Sequence, residues 1–245
     1  MENNKNRNYL VVGIILSLGL IIAAFILSGT WRYVSRSNVT ITVTGSSQKD
    51  IRSDYAIWSG SFSAESKVLS EAYSRIKDQS EKVKSYLKGK GIPPEKIKLS
   101  SVRTTTQYFL NDKGYSTDQV SGYRLYMDVT VESENVDMID KLSTEASELI
   151  NQGIDFNSNP PEFLYTKIAD LKVEMIGLAS EDAKIRAEQI AKSTGNEIGE
   201  VRSSRMGVIQ INAKNSTDVS DYGINDTSSL EKTIRAVVSV SFTIK

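Results

Sequence analysis

The sequence predicts an α+β fold, a two-layer sandwich of long helices packed on antiparallel sheets, preceded by an N-terminal transmembrane helix. Several segments alternate strictly between apolar and polar residues, which is typical of half-buried strands. Two long segments place apolar residues at helical spacing, which indicates amphipathic helices. Because a sheet with one apolar face needs helices on that face, these elements combine into two layers.

The composition fits a folded protein and excludes several functional classes. The 245 residues are 39% hydrophobic and 24% charged. With 30 basic and 30 acidic residues the formal net charge is zero, which argues against a nucleic-acid partner. The chain has no cysteine and no histidine, which excludes disulfides, thiol nucleophiles, Cys/His metal centres and Ser-His-Asp triads. We therefore expect no catalytic residue, no cofactor and no metal.

An uncharged segment near the start of the chain is apolar enough to cross a bilayer. Asn8–Trp31 carries no charge, and Leu10–Leu27 is apolar except for two glycines and one serine. A helix over Leu10–Leu27 rises about 27 Å, which is close to the roughly 30 Å thickness of the hydrocarbon core. Tyr9 and Trp31 would then lie at the two membrane interfaces. We interpret residues 9–31 as a transmembrane signal anchor. The alternative is a cleaved signal peptide, whose apolar core has only about 7 to 15 residues.

The flanking charges give this anchor a default orientation. Lys5 and Arg7 precede the segment while Arg32 and Arg36 follow it, which is nearly a tie under the positive-inside rule. The short segment before a first helix favours a cytoplasmic N-terminus. The predicted order is a cytoplasmic segment (1–8), the anchor (9–31), a stalk (32–38) and an exported domain (39–245). The expected location is the cell membrane, single-pass, with the C-terminal domain extracytoplasmic.

Periodicity orders the elements of the exported domain. Val39, Ile41 and Val43 alternate with threonines in a first strand, and Asp54–Ala64 alternates in a second. A helix, a hairpin, a shorter helix, a short strand, a long helix and a final hairpin follow. Their expected ranges are 65–89 for the first helix, 97–109 and 123–131 for the hairpin, 135–151 and 154–165 for the shorter helix and strand, 166–193 for the long helix, and 198–211 with 232–244 for the final hairpin.

The two strand, helix and hairpin segments align as an internal repeat. Ala72, Val83, Leu87, Gly91, Ile97 and Val102 fall at one constant offset on Ile176, Ala187, Ala191, Gly195, Val201 and Met206. We interpret this as two β-α-β-β units joined by the helix at 135–151, the second unit starting with the strand at 154–165. A common polar pattern without a true repeat is the alternative.

Several short motifs occur in a characteristic order and spacing. They are Ile41–Gly45, Asp54, Glu71-Ala72, Tyr86-Leu87 before Gly91-Ile92, Gly122-Tyr123, and Ala179, Ala183, Ala187 and Ala191 before Gly195 and Gly199. Together they resemble the SIMPL-domain family of exported bacterial proteins, over about residues 39–244. Ser53 departs from the family pattern, in which a proline commonly precedes the aspartate, and we expect this to loosen the start of the second strand.

The resemblance implies an envelope or periplasmic location and a double β-α-β-β domain. It also implies ring-like self-assembly in some members and an association with oxidative-stress defence. It supplies no catalytic residues. Because the chain lacks cysteine, a thiol-based peroxide mechanism is excluded, so any stress-protective role is expected to be indirect.

Tyrosines and small residues mark a candidate assembly or binding surface. The chain has 11 tyrosines, and rings exposed near the hairpins would suit a partner, whereas half-buried strand positions explain them without one. Alanines spaced by four in the long helix fit close core packing, with a subunit interface as the alternative. The candidate residues are Tyr108, Tyr115, Tyr126, Tyr222, Ala179, Ala183 and Ala187.

Three polar groupings are weaker candidates. Asp218–Glu231 contains carboxylates that could bind calcium, but the spacing misses the EF-hand pattern, so a solvated loop is preferred. Ser63–Lys67 places serines near a lysine, for which a helix cap is preferred to a Ser/Lys nucleophile. Lys82–Lys98 is rich in lysine, and a solvated helix end is preferred to contact with anionic envelope polymers or lipid headgroups.

Three functional hypotheses follow. The first is a non-enzymatic, membrane-anchored envelope protein that forms a homo-oligomer or binds an envelope partner. The second is an envelope hydrolase of unfamiliar type, dependent on carboxylates or on a Ser/Lys pair. The third is a ligand-sensing module with a pocket lined by tyrosines.

Overall fold

The computed structural model describes residues 13, 16–31 and 39–245. Residues 16–31 form helix α1. The later helices are α2 (Leu69–Gly89), α3 (Val136–Glu145) and α4 (Ile168–Ser193). The strands are β1 (Thr40–Arg52), β2 (Tyr55–Ser66), β3 (Ile97–Leu99), β4 (Arg103–Leu110), β5 (Ser116–Ser133), β6 (Asp155–Ser158), β7 (Glu162–Leu164), β8 (Ile198–Met206), β9 (Gln210–Ala213) and β10 (Glu231–Ile244).

The predicted anchor at 9–31 lies partly outside the described residues, and the predicted segments 1–8 and 32–38 lie wholly outside them. The side chains of residues 16–31 are exposed. Within the described part of the chain, none of the helices has both the length and the apolar character needed to cross a membrane.

The chain forms two compact units. The central unit comprises Lys49–Leu171 and Gln210–Ile234. The terminal unit comprises Lys172–Ile209, Arg235–Lys245 and the described residues up to Gln48.

The central unit is organised around β2 and β5, which pair antiparallel over their full overlap from Ala56↔Ser133 to Ser66↔Tyr123. The sheet order is β3-β5-β2-β6, with β4 also pairing with β5 and β7 also pairing with β2. The predicted alternation of β2 is confirmed, since Trp58 and Phe62 are almost completely buried. Both rings lie near the Phe156 ring, with centroid distances of 6.1 Å for Trp58 and 6.5 Å for Phe62.

Helix α2 covers this sheet with one apolar stripe. Its buried residues are Ala72, Ile76, Ser80, Val83 and Leu87. The predicted start at residue 65 is wrong, because β2 keeps its pairing with β5 up to Ser66 and the helix begins at Leu69. The helix at 135–151 is confirmed as α3 followed by a 3-10 turn, Ala146–Gln152, which ends at Gly153 in the left-handed conformation.

The terminal unit has the same element order. Its sheet runs β1-β10-β8, so the last strand lies in the centre, as β5 does in the central unit. Strand β10 pairs antiparallel with β8. The hydroxyl pairs Thr42–Ser241 (2.7 Å) and Thr44–Ser239 (3.0 Å) show that β1 is antiparallel to β10 as well.

The repeat is therefore confirmed at the level of topology, but one strand was assigned wrongly. The first strand of the second β-α-β-β unit is β1, whereas residues 154–165 form β6 and β7, which both pair with β2. Pro160-Pro161 interrupts that segment because proline cannot donate to a ladder.

The helix ends of the repeat match closely. Gly91 and Gly195 both adopt positive φ, 88° and 74°, beyond the ends of α2 and α4. At the helix starts the predicted offset is wrong by one residue, because Met175, with 0% exposure, and not Ile176 is the buried counterpart of Ala72.

Candidate functional site

The hairpin of β4 and β5 extends beyond the rest of its sheet. Strand β2 ends at Ser66, opposite Tyr123, so the part of the hairpin beyond that point has no third strand among the described residues. We call residues 107–121 the hairpin tip. Its strands pair with each other through Tyr108↔Val120 and Leu110↔Ser116.

The hairpin tip exposes an apolar surface. Exposed fractions are 46% for Tyr108, 53% for Phe109, 66% for Leu110, 68% for Tyr115 and 44% for Val120. Because a two-stranded ribbon has no layer packed on either face, side chains on both faces meet solvent. Several exposed apolar side chains gathered at one end of a hairpin commonly mark an interaction site.

The structure brings together only some of the predicted tyrosines. Tyr108 and Tyr115 lie in the hairpin tip, whereas Tyr126 is half-buried on β5, opposite Arg103. Tyr222 is 98% exposed in the loop between β9 and β10. Sequence reasoning missed Phe109 and Leu110, although three successive apolar residues at 108–110 cannot all face one side of a strand.

The alanines of α4 lie inside the terminal unit. Ala179, Ala183 and Ala187 are each 0% exposed. A Cβ added at Gly45 of β1 would lie 2.1 Å from the Ala179 carbonyl oxygen, so helix and strand approach to backbone contact. The small residues permit this approach, which is the core-packing interpretation, and in the single chain they form no exposed surface.

The serines at 63–67 do not form a dyad with Lys67. The Ser63 hydroxyl is buried and donates to the Asp155 carboxylate. The Ser66 hydroxyl donates to Glu71 at 2.8 Å and accepts the Val68 N–H at 3.3 Å, close to the start of α2. Lys67 is exposed.

In the loop between β9 and β10, which contains Asp218 and Asp226, side chains form hydrogen bonds with one another. The Asp218 carboxylate accepts from the Ser216 hydroxyl at 2.9 Å, and Asp226 accepts from the Ser228 hydroxyl at 2.7 Å. Over residues 13, 16–31 and 39–245, no three acidic side chains cluster in a way that could hold a metal ion.

Three of the six lysines in the region 82–98 form ion pairs. Its ion pairs are Lys84–Glu81 at 2.8 Å, Lys90–Glu145 at 2.7 Å and Lys98–Glu132 at 2.7 Å. Hydrogen bonds from Lys98 and Tyr55 hold the pKa of Glu132 below its usual range. This pairing favours the predicted solvated helix end over an anion-binding surface.

A buried lysine lies in a small cavity of the central unit. Lys232 is 2% exposed, and its Nζ donates to the carbonyl oxygens of Phe163, at 2.6 Å, and Asp226. The cavity has a volume of about 250 Å³, and Tyr165 and Thr166 also line it. Burial lowers the pKa of Lys232 from its usual value, and the Asp226 carboxylate opposes that shift.

Replacing Lys232 with methionine should lower the free energy of unfolding by about 1–3 kcal/mol at neutral pH, because two buried carbonyls lose their donor. The pKa of Lys232 is lowered in the folded state, so the unfolded chain binds more protons between the folded and unfolded values. Wild-type stability therefore gains from this group as pH rises through that interval. The cost of Lys232→Met, measured by urea unfolding, should be larger at about pH 9.5 than at pH 7.

The matched control is Lys67→Met, at an exposed lysine, which should cost less than about 0.5 kcal/mol at neutral pH. A cost of Lys232→Met that falls with rising pH would contradict the burial of a lysine with a lowered pKa.

Hydrogen bonds of Ser53 and Asp54 fix the start of β2. The Ser53 N–H donates to the Leu230 carbonyl at 2.9 Å, a bond that a proline at this position could not make. The Asp54 carboxylate accepts from both the N–H (2.7 Å) and the hydroxyl (2.8 Å) of Thr166, just before α4. The expectation of a loosened strand is therefore wrong.

Each unit is a helix-covered antiparallel sheet, and two β-α-β-β repeats define an α+β protein. A family model for SIMPL, described as a protein of unknown function (DUF541), matches residues 41–242. The match covers most of the chain, and the chain belongs to the SIMPL family. A search of curated proteins finds no match to it.

Proposed function

We propose that this SIMPL protein is a membrane-anchored, non-catalytic component of the cell envelope that self-associates through its hairpin tip. The single observation that carries the proposal is the apolar surface of the tip, centred on Tyr108, Phe109 and Leu110. A second copy of the chain is the proposed occupant of that surface.

The charge of the hairpin suits association between identical copies. From Arg103 to Ser121 the hairpin carries two basic and two acidic residues, so its zero net charge gives no net repulsion of either an acidic or a basic surface on a second copy. Residues 104–111 carry no charge. Strand β4 is also an edge strand, since β5 is its only partner among the described strands. Edge strands with unpaired backbone groups and no charge are prone to pair with another chain.

Membrane anchoring is supported by the sequence of residues 8–31, which carry no charge and include a long apolar run. With the N-terminus in the cytoplasm, the SIMPL domain would lie outside it. An anchor would also hold the domains in one plane at a high local concentration, which favours even weak lateral association.

The non-catalytic part of the proposal is supported by the hydrogen bonds of Lys232. Lys232 already donates to two carbonyl oxygens, which suits a structural role better than a nucleophilic one. The chain has no histidine and no cysteine, which excludes Ser-His-Asp triads, thiol nucleophiles and Cys/His metal centres.

The test is the molar mass of the full chain in a mild detergent, measured by light scattering across a range of concentrations. Wild type should show a mass that rises with concentration to a multiple of 27.1 kDa. The double variant Phe109→Ser/Tyr115→Ser should need at least tenfold higher concentration to associate, because truncation of central aromatic contacts commonly costs about 2 kcal/mol or more.

Val219→Ser is the matched control, since Val219 is 75% exposed and lies outside the hairpin. It should associate like wild type. A wild-type chain that stays monomeric at the highest concentration would contradict the proposal, and so would a double variant that associates as well as the control.

A further inference from the structure

Strand β1 has one open edge in the terminal unit. It pairs with β10, and no other described strand pairs with it. The Ile244 N–H donates to the Val39 carbonyl, so Val39 faces β10 through its backbone groups. Because backbone groups alternate in direction along an antiparallel strand, the N–H and C=O groups of Thr42 and Thr44 point to the open edge.

An apolar groove runs along this edge. Thr42, Thr44, Gln189 and two isoleucines of α4 contribute to its lining, and its volume is about 600 Å³. The isoleucines are well exposed, Ile185 at 57% and Ile190 at 46%. The groove thus combines unpaired strand groups on one wall with apolar side chains on the other.

Helix α4 closes one end of the groove. The Ser46 N–H, which also points to the open edge, donates to the Asp182 carboxylate at 2.8 Å. Asp182 accepts from Arg186 at 2.8 Å as well, and these two bonds hold the pKa of Asp182 below its usual range. Because Arg186 is paired, an apolar strand could occupy the groove without burying an unpaired charge.

The other repeat shows what covers the equivalent edge. Strand β2 holds the position in the central unit that β1 holds in the terminal unit, and its outer edge pairs with β6 and β7. The pairs Ser61↔Asn157 and Ala56↔Phe163 belong to that cover. Among the described residues, no strand covers the open edge of β1 in the way that β6 and β7 cover the edge of β2.

We propose that the open edge of β1 accepts strand β4 from the hairpin tip of a second copy. The inference rests on the proposed self-association and names its acceptor. Residues 107–111 of the tip are uncharged and present Tyr108, Phe109 and Leu110, which match an apolar groove bordered by open backbone groups. Donor and acceptor are different surfaces, so every copy both gives and receives a strand. Such a head-to-tail interface builds a closed ring or an open filament.

The absence of cysteine makes the contact directly testable, because any introduced thiol is unique. Full-length Thr42→Cys is mixed with full-length Thr106→Cys or Gln107→Cys, polar positions of β4 that are not part of the apolar surface, and a short bismaleimide is added. A linked species of twice the chain mass should form in at least one mixture. The control mixture pairs Thr42→Cys with Arg202→Cys on the exposed strand β8, and it should give at least tenfold less product.

The outcomes separate this inference from the proposed function. Linking through Arg202→Cys alone would overturn the inference in favour of β8 as the donor. If light scattering shows oligomers and none of the mixtures links, the acceptor is wrong while self-association stands. If the chain is monomeric by light scattering, both fail.

Two variants give an independent measurement. In Thr42→Pro, the backbone donor that is lost points to the open edge, and the exposed hydroxyl bond to Ser241 is lost with it. In Ile185→Asp, a charge enters the groove from an exposed helix position. Both should keep the wild-type circular dichroism spectrum and weaken self-association at least tenfold. If either variant folds and associates like wild type, the inference is overturned.

Discussion

Gly45→Ala is expected to destabilise the protein by about 3 kcal/mol or more, because the added methyl group meets backbone and not a flexible side chain. The nearest atoms would be the Ala179 carbonyl oxygen at 2.1 Å and the Ala183 nitrogen at 2.3 Å. To relieve this clash, α4 would have to move away from β1, and the close packing of its alanines against the strand would be lost. Urea unfolding of the full chain, followed by circular dichroism, measures the loss.

Gly177→Ala is the matched control on α4 itself. A Cβ at Gly177 has nothing within 4 Å, and the position is exposed inside a helix. Alanine is favoured over glycine there by about 1 kcal/mol, so this variant should gain stability. Equal effects of the two substitutions would contradict the close approach of α4 to β1.

Trp58→Ala is expected to cost about 3–5 kcal/mol, which is the usual range for removing a fully buried large aromatic side chain. Trp58 is 0% exposed and packs near the Phe156 ring, with 6.1 Å between centroids. Its indole N–H also donates to the Ser158 hydroxyl at 3.0 Å, which in turn donates to the Ser143 carbonyl. The indole therefore links β2 to β6 and to the end of α3.

Trp58→Phe separates packing from hydrogen bonding. Phenylalanine keeps most of the buried area and loses the bond to Ser158, so the cost should be smaller than that of alanine. A Trp58→Ala variant within about 1 kcal/mol of wild type, in the same urea experiment, would show that the Trp58 site does not anchor the central core.

Much of the fold could be predicted from local patterns. The alternation in β2 and β5 and the four-residue spacing of alanines in α4 each report one buried face, and those faces are buried as predicted. Glycines after α2 and α4 marked both helix ends, because only glycine adopts the left-handed conformation without strain.

Long-range pairing could not be predicted in the same way. Residues 45–52 are mostly polar, yet they form the second part of β1. In this part of the strand the Thr233 hydroxyl donates to the Asp50 carboxylate at 2.7 Å, a bond between residues far apart in the chain. The pairing of β6 with β2 also leaves no periodic signal, since β6 has only four residues. Register across such distances is decided by tertiary packing.

The candidate site was predicted only in part. Tyr108 and Tyr115 were singled out by residue type, but the exposure of the tip depends on β2 ending before β5 does, which is a property of the sheet. Lys232 looked like the polar start of a strand, and its burial follows from the carbonyls of Phe163 and Asp226, which meet only in the folded chain.

The most direct test of self-association through the hairpin tip is hydrogen exchange of the backbone amides in residues 107–121, measured on the full chain at low and high concentration. In a monomer these edge amides should exchange quickly, because a two-stranded ribbon protects them poorly. We predict at least tenfold slower exchange of the β4 amides in this range at concentrations where light scattering reports oligomers. Unchanged exchange of those amides in a chain that does oligomerise would contradict the account.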